Sequence, residues 1–172
     1  MTNVDFVNNS ASYGPDLASY AVKIRLAGSD SDEMEFDNVG PNIPNEDQIQ
    51  FELLDYDNQV MVLNSVSQMN IQPVNRSVSS ISGTNSVQFK NGVATYDNLV
   101  AIATPGSQNI TFVATVKAID SVKIKNVYGS AVSENTITFS FRNCKPGEYI
   151  SDGSKCVECS AGSYSVKWNS QE

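Results

Sequence analysis

Asn135-Thr-Ile-Thr-Phe-Ser-Phe-Arg142 alternates polar and apolar residues, and after Asn143 it runs straight into Cys144-Lys-Pro-Gly-Glu-Tyr149. A period of two is that of a half-buried β-strand. Cys156, Cys159, Gly162 and Tyr164 follow within a few residues. The stretch joins a strand to the opening of a cysteine-stapled segment, with no linker between them. It predicts an extracellular, modular β-protein.

Upstream, the same period recurs. Ile110 to Val116 (ITFVATV) is apolar on both faces apart from its threonines, as a central strand would be. Ser86-Val-Gln-Phe-Lys-Asn91-Gly92-Val-Ala-Thr-Tyr96 places Asn-Gly between two β-rich runs, the strongest short-range hairpin signal, because both turn residues need positive φ. Leu99 to Ala103 continues the pattern before Pro105-Gly106 turns the chain. Ser19 to Leu26 directs Val22, Ile24 and Leu26 to one face and Lys23 and Arg25 to the other. Gln48 to Leu54 directs Ile49, Phe51 and Leu53 inward. Asp55-Tyr-Asp-Asn-Gln59 then supplies turn chemistry for a hairpin returning at Val60 to Leu63.

Ser67 to Val74 and Arg76 to Ser82 are weaker strands. Residues 27–47 read as a long acidic loop, and residues 119–134 as a second long connection with a short strand at Val122 to Ile124. No ten residues hold a helical period. The expectation is all-β: an immunoglobulin-like β-sandwich of about seven to eight strands over residues 18–142. An open-ended barrel is the alternative. Residues 1–17 read as a linker or the exit from a preceding unit, and residues 143–172 as the start of a small disulfide-rich module.

Charge and composition narrow the function. The net charge is −8, from 19 acidic against 11 basic residues. Every charged residue between Leu26 and Asn75 is acidic. Such a surface repels phosphate backbones, so nucleic acid is not an expected partner. There is no histidine, which removes Ser-His-Asp and Cys-His nucleophiles and imidazole metal ligands. Carboxylate-pair glycosidases survive that exclusion, but they favour aromatic clefts and the chain has one tryptophan, Trp168, outside the β-region. No enzyme is expected.

The cysteines are spaced Cys144-x11-Cys156-x2-Cys159. Zinc would need a fourth ligand. A thioredoxin-like pair would need a helix N-terminus in an α/β setting. Disulfide chemistry fits best, with Cys144 paired to Cys156 and Cys159 paired to a cysteine beyond Glu172. The first ten residues have neither the basic nor the apolar region of a signal peptide, and no apolar run approaches a membrane span. Together with the cysteines, this predicts a piece of a longer secreted or membrane-anchored chain, without direct membrane contact in this segment.

Asn8-Asn-Ser, Asn75-Arg-Ser and Asn109-Ile-Thr are N-glycosylation sequons; Asn75, after a proline and before a strand, should be the most exposed. Asp30, Asp32, Glu35 and Asp37 have a spacing that calcium could use, though not that of the EF-hand loop. No other cofactor is expected.

Asn91-Gly-Val-Ala-Thr-Tyr-Asp-Asn-Leu99, followed by Pro105-Gly106 and an apolar strand, resembles the second half of immunoglobulin-like modules in large protist surface proteins such as those of ciliates. In those proteins a strand ending in Phe-Arg and a cysteine, here Phe141-Arg-Asn-Cys144, feeds an ephrin-receptor-like (GCC2/GCC3) cysteine-rich repeat. Cys144-x-x-Gly147-x-Tyr149 and Cys156-x-x-Cys159-x-x-Gly162-x-Tyr164 fit that repeat. Residues Asn8 to Ser19 are similar to the exit of a β-helix domain. The resemblance implies a structural or adhesive, non-catalytic module of a cell-surface glycoprotein. Its expected partners are neighbouring modules or other copies of itself in a fibre. A calcium-dependent or carbohydrate-binding module is the alternative.

Overall fold

The computed structural model describes residues 19–41, 48–129 and 135–169. Its elements are β1 (Ala21–Leu26), β2 (Met34–Val39), β3 (Ile49–Asp55), β4 (Gln68–Pro73), β5 (Ser79–Gly83), β6 (Ser86–Gln88), β7 (Val93–Tyr96), β8 (Leu99–Ala103), β9 (Ile110–Val116), α1 (Ser121–Tyr128), β10 (Thr136–Phe141), β11 (Glu148–Ser151) and β12 (Lys155–Glu158). The described residues are all-β apart from the short α1.

Two sheets share one apolar core. One has the order β1-β3-β7, the other β2-β10-β9-β4-β6, and β5-β8 and β11-β12 form separate ladders. Alternation along β3 buries Ile49, Phe51 and Leu53; β10 buries Ile137, Phe139 and Phe141. Phe139 is the centre of the larger sheet, stacked on Phe36 at 4.9 Å and meeting Phe112 edge-on at 5.3 Å. Two polar bonds cross between the sheets. The Tyr96 hydroxyl of β7 donates to the Met69 carbonyl of β4 at 3.0 Å, and burial keeps that phenol protonated well above its ordinary range. The Ile24 N–H of β1 donates to Asn135 Oδ1 at 3.2 Å, while the Asn135 carbonyl accepts the Ala114 N–H of β9.

The Asn-Gly turn forms as its chemistry requires. Lys90 and Val93 exchange backbone bonds of 2.8 and 3.0 Å across Asn91 (φ 50°) and Gly92 (φ 77°). Its arms, however, do not make a ladder. Val87 of β6 pairs with Met69 of β4, while Ala94 of β7 pairs with Phe51 of β3. The turn is a corner where the chain changes sheets, with Phe89 fully buried inside it. A Cβ on Gly92 would lie 2.7 Å from the Met61 carbonyl oxygen, so the residue is fixed by space as well as by φ.

Four expectations need correction. The acidic loop at 27–47 contains strand β2, which buries Met34 and half-buries Phe36 while exposing Glu35 and Asp37. The strand expected at Val122–Ile124 lies within helix α1. Asp120 caps its start by accepting the Lys123 N–H, and Gly129 (φ 70°) closes its end. The return strand at Val60–Leu63 shortens to the Leu54–Val60 bridge and one bond from the Met61 N–H to the Leu53 carbonyl. In β1 a register shift between Ala21 and Lys23 moves the inward set to Ala21 and Ile24, leaving Val22 half-buried.

Candidate functional site

β10 runs in parallel beside β2 and antiparallel to β9, and its end delivers Arg142 to the cysteine segment. The Arg142 N–H donates to the Val39 carbonyl at 3.0 Å, and the Gly106 N–H to the Arg142 carbonyl at 3.1 Å. The guanidinium then grips Glu148 with both nitrogens, at 2.7 and 3.1 Å. Both side chains are more than four-fifths buried. Glu148 also accepts the Lys145 N–H at 2.8 Å. The Arg142 hydrogen bond, set against burial and helped by the Lys145 N–H, holds the Glu148 carboxyl below the usual carboxylate range. The β-region is thus tied to the first turn of the cysteine segment by a two-pronged ion pair.

Cys144 and Cys156 are disulfide-bonded, with Cα atoms 5.3 Å apart, and Cys144 is fully buried. Their sulfurs and the Glu148 carboxylate are the only three ligand-type groups that gather among the described residues. They do not make a metal centre, because the sulfurs are bonded to each other and the carboxylate to Arg142. Cys159 is a free, half-buried thiol.

Asn169 fastens the tail back onto this junction. Its side-chain oxygen accepts the Cys144 N–H at 2.7 Å, its own N–H donates to the Cys144 carbonyl at 3.1 Å, and its amide nitrogen reaches Asn143 Oδ1 at 2.6 Å. That clip sets Trp168 at the seam, its ring mostly exposed. Opposite, β2 holds one more residue than β10 between paired positions, since Phe36 faces Phe139 but Val39 faces Phe141. The extra residue is a bulge at Asp37-Asn38, with Asn38 at φ 56°. Trp168, Asp37, Asn38, Gln108, Asn143 and Lys145 are among the residues lining an open cleft of about 410 Å³ between bulge and tail.

Apart from Asp37 at the cleft wall, the other sequence-predicted residues lie elsewhere. Asp32 is held by Lys23 at 2.7 Å, Glu35 and Asp37 stand exposed on β2, and no described group of three unites them with Asp30. Asp55 is a buried turn carboxylate accepting the Asp57 and Gln59 N–H groups. Charges segregated in sequence are partly mixed in space, since Arg25 also reaches across to Glu52 at 2.9 Å. Asn75 and Asn109 are exposed. Asn75 Oδ1 accepts the Ser77 N–H of its own sequon, and Asn109 stands at φ 56°. Asn8 lies outside the described residues. No described helix is long and apolar enough to cross a membrane.

Comparison with protein-family models, curated proteins and solved structures finds no match to the chain.

Proposed function

We propose that the chain is a non-catalytic, structural and adhesive module of a larger secreted or membrane-anchored glycoprotein. It is an immunoglobulin-like sandwich followed by the opening of a cysteine-rich repeat. The disulfide seated directly behind the last strand is the observation that carries this reading. Such bridges persist in oxidising, extracellular surroundings, and this one is braced by the Arg142–Glu148 pair.

Strand order supports the immunoglobulin-like part. β1, β3 and β7 correspond to the A, B and E strands of that fold, and β4, β9 and β10 to C, F and G. β2 is then a segment of the first strand that crosses to lie beside the last. The exposed sequons Asn75 and Asn109 are the glycan sites of this reading, and Cys159 is half of a second bridge of the repeat. Neighbouring modules or further copies of the chain are its partners.

Production through a secretory pathway, with peptide mapping of disulfides and glycans, tests the proposal. The expected result is a Cys144–Cys156 linkage with a glycan on Asn75 or Asn109. Free thiols at both cysteines together with unmodified sequons would sink it.

A further inference from the structure

We infer that the cleft at the seam is a binding site for a neutral pyranose sugar, with Trp168 as its stacking platform. This rests on the extracellular reading only in that glycans are abundant there.

Three independent features converge on the cleft. The first is the bulge. Extra residues are rare in parallel pairs, and bulges recur where a strand must re-aim side chains beside a site. Here the bulge turns Asp37 and Asn38 out of the ladder at the cleft wall. The second is an inventory of unused polar groups. Asp37 has no ion-pair partner among the described residues, and the Lys145 ammonium, whose charge acts on Glu148 from a distance, makes no contact ion pair there. Gln108 spends its amide nitrogen on the Gly106 and Phe141 carbonyls, leaving its oxygen to the cleft. Asn143 accepts from Asn169 and keeps its own amide nitrogen. The third is the indole. Asn169 holds the backbone beside Trp168 by three hydrogen bonds, yet the tryptophan as a whole is 60% exposed.

A pyranose ring fits that chemistry. One face presents C–H groups that stack on an indole, whose amphipathic character suits a wet contact. Around its rim, adjacent hydroxyls donate to a carboxylate and accept from amides and an ammonium. A volume of about 410 Å³ is within the range of small-ligand sites. Asp37 and Lys145 balance at the wall and the Arg142 charge is matched by Glu148, so the lining is close to neutral and suits an uncharged sugar.

Trp168 is the only tryptophan in the chain, so intrinsic fluorescence reads this cleft without labelling. The test titrates the intact, oxidised protein with chitotriose, cellotriose and mannotriose, and with a sulfated disaccharide as the anionic control. Saturation-transfer NMR provides a second readout. At least one trisaccharide should shift Trp168 emission saturably at or below millimolar concentration. Asp37→Ala should weaken that binding about tenfold, the equivalent of one good hydrogen bond. By NMR, Trp168→Ala should abolish it and Trp168→Phe largely preserve it. Silence from all three sugars in both readouts, or a response confined to sulfated saccharides, would overturn the site. Either result leaves the disulfide and glycan mapping untouched, so the module reading stands or falls separately.

Discussion

The β-region and the cysteine segment solve the same problem with different forces. Between β1 and β10 a shared core buries Phe51, Phe89, Phe112, Phe139 and Phe141 almost completely, and no disulfide is present among the described residues there. Among the described residues from Asn143 onward, only Cys144 and Ile150 are buried apolar residues. The two-stranded β11-β12 ladder could not persist by burial. One bridge, one ion pair and one asparagine clip do that work instead. A larger unit can be held by area, whereas a smaller one needs discrete ties.

The most severe way to probe this contrast is Phe139→Ala. Removing the ring that meets Phe36, Phe112 and Phe141 should cost about 3–5 kcal/mol. Chemical denaturation followed by far-ultraviolet dichroism would measure it, and Trp168 emission should move in the same transition because β10 anchors the seam. A Trp168 transition that survives unfolding of the sheets would break the dependence of tail on body.

Replacing both bridge cysteines, as Cys144→Ala with Cys156→Ala, tests the converse. Closing a loop of this length is worth about 3 kcal/mol. The loss should fall on the tail: faster hydrogen exchange in β11 and β12 and a red-shifted Trp168, with the sheet midpoint nearly unchanged. A comparable fall in the sheet midpoint would show that the two regions are one cooperative unit.

Gly106→Ala acts on both regions at once. Gly106 sits at φ 85°, and a Cβ there would collide with Asn143 Oδ1 beside the clip. The left-handed backbone alone predicts about 1–2 kcal/mol, read as a lower melting temperature together with a displaced Trp168 signal.

The smallest effect is a pH dependence. The folded carboxyl of Glu148 is held below its ordinary value, so its contribution is complete above that value and disappears as pH falls through the folded one. Acidification below about pH 4.5 should weaken the seam by about 1 kcal/mol. Glu148→Gln should flatten that part of the profile and leave the rest.

Alternation made β3 and β10 legible in the sequence, and a run apolar on both faces did the same for β9. β2 obeys the same rule through Met34 and Phe36, but its neighbours are acids, glycine and proline, and their turn chemistry masks the period. Helix α1 buries only Ile124, so it has no apolar stripe to detect; Asp120 and Gly129 at its ends were the available signal. The two-sheet corner at Asn91-Gly92 was invisible because turn chemistry fixes the bend and not the partners of the arms. The cleft was the least legible feature. Asp37 and Trp168 line one cleft only because a bulge and a clip bring distant segments together, and neither device has a local signature.

The parallel alignment of β2 with β10 has a mechanical consequence. A pull that reaches the start of β2 and the finish of β10 draws these neighbouring strands in opposite directions. The bonds between them are then loaded side by side in shear and must yield together, instead of opening one after another like a zip. Along this pair the fold would therefore resist force more strongly than along an antiparallel hairpin peeled open from one end.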